Sequence, residues 1–148
     1  IVKSDETIDA VLTQQFALAT QISAAGLMPI VEPEVPIDNL YKIEIEGLLE
    51  SALQRHLKNF KGKCILKLTL PEVNNLYFDI SHLPNVHKVV GLSGGYDTKE
   101  ACNRLGLQDN MTASFSRALS EGLLYNLTDD EFNATISNNI KLIVGAST

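Results

Sequence analysis

CILKLTL, residues 64–70, reads as a strand of a parallel β-sheet with a lysine in its middle. Strands covered on both faces run as near-continuous aliphatic segments. Lys67 interrupts such a run, and an unpaired buried ammonium either costs several kcal/mol or gives up its proton. The residue is therefore badly placed for a core and well placed for chemistry. Alternation with a period of two sets Ile65, Lys67 and Thr69 on one face. Leu66 and Leu68 fall on the other, which is expected to carry the helices.

Outward from this strand the chain alternates. Residues 6–25 carry Ile8, Val11, Leu12, Ala19 and Ile22 at helical spacing, and Gly26 stops the helix. LMPIV (27–31) is a short apolar strand, and Asp38 precedes a long helix with Ile43, Leu48, Leu49, Leu53 and Leu57 as its buried stripe. PEVNNLYFDISHLP (71–84) holds a short helix, and VHKVVGLS (86–93) gives a third strand. Asp97 starts a helix through Leu105, and MTASF (111–115) is the fourth strand. Thr128-Asp129-Asp130-Glu131 has capping-box form ahead of Phe132, Ile136, Ile140 and Ile143. Repeated strand–helix units imply a parallel α/β sheet with right-handed crossovers. Two architectures fit: an open doubly wound sheet, or half of a (β/α)8 barrel, since a whole barrel needs about 250 residues.

The composition narrows the setting. The 148 residues are 45% hydrophobic and carry a formal charge of 12 − 18 = −6, which suits one soluble domain. That balance gives no electrostatic case for nucleic acid or an anionic membrane as partner. No apolar run approaches the roughly 18 residues of a membrane span, and no signal peptide is visible. Cys64 and Cys102 read as free thiols of a reducing, cytoplasmic compartment. Three N-x-S/T sequons, at Asn110, Asn126 and Asn133, read as chance without a secretory signal. The sequence begins IVKSD, with no initiator methionine, and reads as a fragment.

Polar groups gather where the strands end. LMPIV runs into Glu32-Pro33-Glu34, whose alternation aims both carboxylates at one region. The third strand runs into Ser93-Gly94-Gly95 and the fourth into Ser116-Arg117. Singly, each has an ordinary explanation: a solvated turn, a snorkelling lysine, loop glycines, a surface arginine at a helix start. His56, His82 and His87 lack metal-ligand spacing, and no G-x-S-x-G elbow is present. Together they gain weight, because the C-terminal strand ends of parallel α/β folds face the active site. Glycine amides approach an anion closely, and an arginine fork holds phosphate bidentately. An inward lysine beside carboxylates and near other cations is suited to Schiff-base chemistry.

The stretches GLMPIVEPEV, ILKLTLPEV, VVGLSGGYDTKEA and SFSRALSEGL resemble the class I fructose-bisphosphate aldolases, particularly the compact bacterial members. The resemblance covers essentially the whole chain. It implies a (β/α)8 TIM barrel of which residues 1–148 are the C-terminal half, about strands five to eight with their helices. By the same resemblance, Lys67 forms the iminium with the substrate ketone and Glu32 shuttles protons. Glu34 supports the lysine electrostatically, and Ser93, Gly94, Gly95, Ser116 and Arg117 cradle the carbon-1 phosphate. The implied reaction is the reversible, metal-independent cleavage of fructose 1,6-bisphosphate to dihydroxyacetone phosphate and glyceraldehyde 3-phosphate in glycolysis. No cofactor is expected beyond the covalent imine. The implied partners are a phosphorylated sugar and the missing N-terminal half of the barrel, with a homo-oligomer left open. Ser116 stands where animal relatives carry glycine, and the sequence ends KLIVGAST whereas theirs end in a tyrosine-bearing tail. Two other readings stand beside this one: a Schiff-base aldolase for another sugar phosphate, and an inactive half-barrel that binds phosphate or pairs with a partner chain.

Overall fold

The computed structural model describes residues 4–147. Four strands, β1 (Ile30–Val31), β2 (Cys64–Thr69), β3 (Val86–Leu92) and β4 (Met111–Ala113), form one sheet. Neighbours are parallel, and the order is β1-β2-β3-β4. The helices are α1 (Asp5–Ala24), α2 (Lys42–Asn59), α3 (Phe78–Ser81), α4 (Thr98–Leu105) and α5 (Asp129–Ala146). A doubly wound sheet reverses its winding once and shuffles the order. This sheet never reverses, so it winds as a barrel does.

Register decides which face is covered. Val31, Leu66, Val89 and Met111 are successive partners across all four strands, and all four are buried. They belong to one apolar cluster with Ile8 and Leu12 of α1, Ile45, Leu49 and Leu53 of α2, Ile80 of α3 and Ala101 and Leu105 of α4. Ile143 and Ala146 of α5 pack against it. The helices therefore share one face of the sheet. Each fully buried aliphatic side chain contributes about 1.5–3 kcal/mol relative to exposure, so this layer fixes the register. The opposite row, Ile30, Ile65 and Lys88, is not covered, and Ile30 is 57% exposed. Lys67 lies on that open face, paired in register with Val90.

Details depart from the periodicity. A bulge between Cys64 and Ile65 sets Cys64 against Val86 but Ile65 against Lys88, leaving His87 as the extra residue. β1 and β4 are shorter than the apolar runs that predict them, because each has a partner on one side only. In α2 the buried face holds Lys42, Ile45 and Glu46, while Ile43 is exposed. In α1, Phe16 is buried and Ile22 exposed. In α5, Phe132 and Ile140 are exposed, and the buried residue is Asn139. Among the described residues, no helix is long and apolar enough to cross a membrane.

The sheet edges carry side-chain caps. Ser114 N donates to Gly91 O of β3, so the neighbouring Ala113 N–H points to the side away from β3. There it donates to Ser147 Oγ, just past α5, at 3.2 Å. At the other edge, Gln15 Nε2 of α1 donates to Glu32 O, just past β1, at 3.3 Å.

Candidate active site

The C-terminal ends of the strands gather the residues that the sequence singles out. Lys67 projects from the open face of β2, with its Nζ 2.8 Å from Glu32 Oε1. The lysine is 26% exposed and the glutamate 43%. Lys67 thus stands on the face away from the helices, where its ammonium reaches solvent and a carboxylate together. Glu34 is exposed and forms no ion pair with Lys67 among the described residues.

Glu32 is placed by a clamp that periodicity does not show. Thr69 Oγ1, at the end of β2, accepts from Val35 N and donates to Val35 O, both at 2.9 Å. Thr69 is 1% exposed, so this exchange satisfies a buried hydroxyl and ties residues 32–35 to the lysine's own strand.

One strand over, Ser93-Gly94-Gly95 forms a tight turn closed by Tyr96 N donating to Ser93 O at 2.9 Å. Gly94 has φ +63° and Gly95 φ +114°, a region that side chains with a Cβ avoid. A Cβ on Gly94 would stand 2.8 Å from Ile37 Cγ2, so Ile37 packs directly on the turn. A Cβ on Gly95 would stand 3.8 Å from Arg117 Nη1, which brings the guanidinium to the glycines. The register partner of Lys67 is Val90, three residues before Ser93, or about 10 Å along the strand.

Arg117 and Ser116 are exposed and lie in a turn that follows β4, not at the start of a helix as expected. Two elements brace this turn. Thr98, first residue of α4, donates its Oγ1 to Ala118 O and its N–H to Glu121 Oε2. Asn139 of α5 donates its Nδ2 to Leu119 O at 3.0 Å and to Glu121 O at 2.9 Å. The sequence marks Asp97 as a helix start, and Asp97 does cap α4 through Glu100 N. Nothing in the sequence marks Thr98 or Asn139 as supports of Arg117, because their partners, backbone carbonyls and the Glu121 carboxylate, are about 20 residues away. Cys64 stands apart from this chemistry. It is buried, and burial pushes its thiol up to about 11.

The rim thus presents an amine beside a carboxylate and, next to it, two glycine amides beside a guanidinium. No protein-family model matches the sequence. Over 142 residues the chain is 50% identical to the class 1 fructose-bisphosphate aldolase of Synechocystis sp., covering 95% of the chain and 47% of that relative. It is 46% identical to the class 1 fructose-bisphosphate aldolase of Clostridium acetobutylicum, over 95% of the chain and 48% of that relative. In fold it resembles the fructose-bisphosphate aldolase of Plasmodium falciparum with a TM-score of 0.67 at 20% identity, over 97% of the chain and 50% of the other. The chain is thus a homologue of the class 1 fructose-bisphosphate aldolases that spans about half of their length, and its fold is half of a (β/α)8 barrel.

Proposed function

We propose that this chain is the C-terminal half of a class 1 fructose-bisphosphate aldolase and carries its Schiff-base lysine. The observation that carries the reading is the 2.8 Å pair of Lys67 and Glu32 at the rim of the open face. Glu32 takes the ammonium proton, and the neutral Lys67 amine attacks the C2 carbonyl of fructose 1,6-bisphosphate. Glu32 returns a proton to the carbinolamine oxygen, water leaves, and a protonated iminium remains. The C3–C4 bond then breaks as the C4 hydroxyl loses its proton to Glu32. The bonding electrons move to the iminium nitrogen, glyceraldehyde 3-phosphate leaves, and an enamine stays on Lys67. Protonation at C3 and hydrolysis release dihydroxyacetone phosphate and restore the amine. The 93–95 turn, Ser116 and Arg117 hold the carbon-1 phosphate, a role supported by positive-φ glycines beside a guanidinium. The exposed Glu34 adds negative potential from beyond β1. Two free thiols suit a cytoplasmic setting.

Borohydride treatment of the complete barrel with dihydroxyacetone phosphate tests this. Covalent mass should appear at Lys67, and both trapping and turnover should vanish in Lys67→Met. Full activity should persist in chelator. Activity in Lys67→Met, or its loss in chelator, would refute the assignment.

A second reading has its own observation. Ile30 and Met28 are 57% and 44% exposed, so the chain by itself leaves one wall of the pocket open. On that reading the isolated chain binds phosphate or a partner chain without turnover. Trapping at Lys67 by the isolated 148 residues would remove it.

A further inference from the structure

Behind the glycine turn lies a charged network that the reaction above does not use. Lys42 of α2 is 4% exposed and Glu46, one helical turn later, is fully buried, with Nζ 2.5 Å from Oε1. Lys42 Nζ also donates to Leu70 O at 2.8 Å and stands 3.2 Å from Glu72 Oε1. Glu46 Oε2 accepts from Glu72 N at 3.0 Å. The segment leaving β2 is thereby anchored at two backbone points. The Glu72 side chain then reaches toward the next unit. Its Oε1 meets Arg104 Nη1 of α4 at 2.9 Å and accepts from the Tyr96 hydroxyl at 3.2 Å. The Arg104 guanidinium lies 4.3 Å over the Tyr96 ring, held from behind by Glu100 Oε1 at 2.7 Å.

One carboxylate oxygen thus takes Lys42, Arg104 and Tyr96, and Tyr96 is the residue whose amide closes the 93–95 turn. We propose that Glu72 is a positioning residue, acting through Tyr96 to hold the anion-binding turn in fixed relation to the strand that carries Lys67. The proposal rests on the reading of that turn as the carbon-1 phosphate site. A buried ionic network seldom adds net stability over an apolar replacement, and its gain is geometric. Here the geometry joins the ends of β2 and β3, which must present amine and phosphate site together. Burial pushes the Tyr96 phenol up to about 12, so it remains a donor throughout the working pH range.

Tyr96→Phe and Glu72→Gln in the complete barrel provide the test. Tyr96→Phe keeps the ring under Arg104 and removes only the hydrogen bond, so it guards against misfolding in the other variant. Borohydride trapping at Lys67 is measured with dihydroxyacetone phosphate and with unphosphorylated dihydroxyacetone, and with inorganic phosphate as competitor. The proposal expects the half-saturating dihydroxyacetone phosphate concentration to rise about fivefold in Tyr96→Phe. Phosphate competition should weaken in parallel, while trapping of dihydroxyacetone stays unchanged. Equal weakening toward both ketones, or no change toward either, would overturn it. If the wild-type barrel itself ignored the phosphate group and inorganic phosphate, the phosphate reading of the turn would fall, and this proposal with it.

Discussion

Lys42 and Glu46 occupy the face of α2 that hydrophobic spacing assigns to Ile43. A helix is phased by what it can bury, and a lysine buries when its charge and donors are met within reach. Here the partners are Glu46 one turn away and the Leu70 carbonyl beyond β2, and only the first is visible in sequence. Lys42→Met strands the Glu46 charge and should destabilise the chain by about 3–5 kcal/mol in urea unfolding, with much of the loss recovered by adding Glu46→Leu. Burial raises the Glu46 carboxyl above its usual 4.5, outweighing the hydrogen bonds from Lys42 and the Glu72 amide, which lower it. Between 4.5 and that raised value the folded state holds more protons than the unfolded one, so stability falls as pH rises through the interval. Glu46→Gln should flatten that part of the pH–stability profile. Lys67 is the opposite case. Its face and its nearness to Glu32 were legible from alternation and the Glu-Pro-Glu after β1, but the outward turn of Glu34 was not, because alternation ends where the strand does. On the proposed reading, Arg117→Ala should weaken binding of the carbon-1 phosphate by about 1.5 kcal/mol, the lower end for a charge-assisted contact at an exposed side chain. Glu32→Gln should instead lower kcat, and steady-state kinetics of the complete barrel separate the two.

At the scale of elements, starts were easier to read than ends. Thr128 caps α5 as its sequence announces, with Oγ1 accepting from Glu131 N and Glu131 Oε2 accepting from Thr128 N. Hydrogen bonds from the Thr128 backbone and hydroxyl hold the Glu131 carboxyl below its usual 4.5. Its contribution is present above 4.5 and is lost as pH falls through the lower folded value. The destabilisation caused by Glu131→Ala, read from thermal unfolding, should therefore shrink as the solution is acidified. The inward face of α5 was half legible: of the expected stripe, Ile136 and Ile143 are half-buried and Ile143 packs against the core. Phe132 and Ile140 announce a stripe, yet the helix buries Asn139, because the carbonyls of Leu119 and Glu121 need a donor more than the core needs an apolar side chain. Asn139→Leu leaves both carbonyls without it and should cost about 1–3 kcal/mol in denaturant unfolding. It should also raise KM for phosphorylated substrate, since the same turn carries Arg117.

For the whole molecule, alternation implied parallel strands with right-handed crossovers but left two strand orders open, and the sequential order now seen is the one the family resemblance implied. The extent of the fold was not legible in alternation, because local periodicity says nothing about what closes a sheet. Leu18, Ile22, Leu27, Met28 and Ile30 are exposed along α1 and the β1 edge, and Ile140, Leu142 and Val144 along α5. An isolated chain with such margins should elute above its 16.2 kDa mass in size exclusion, and shift to a single defined species when the complementary half is supplied. The cap on Ala113 lies on the edge where such pairing would occur. While the Ser147 hydroxyl holds this amide, a new strand finds no vacant donor there and must first displace the hydroxyl. Ser147→Ala should quicken deuterium uptake at the Ala113 amide and shorten the lag before the isolated chains aggregate.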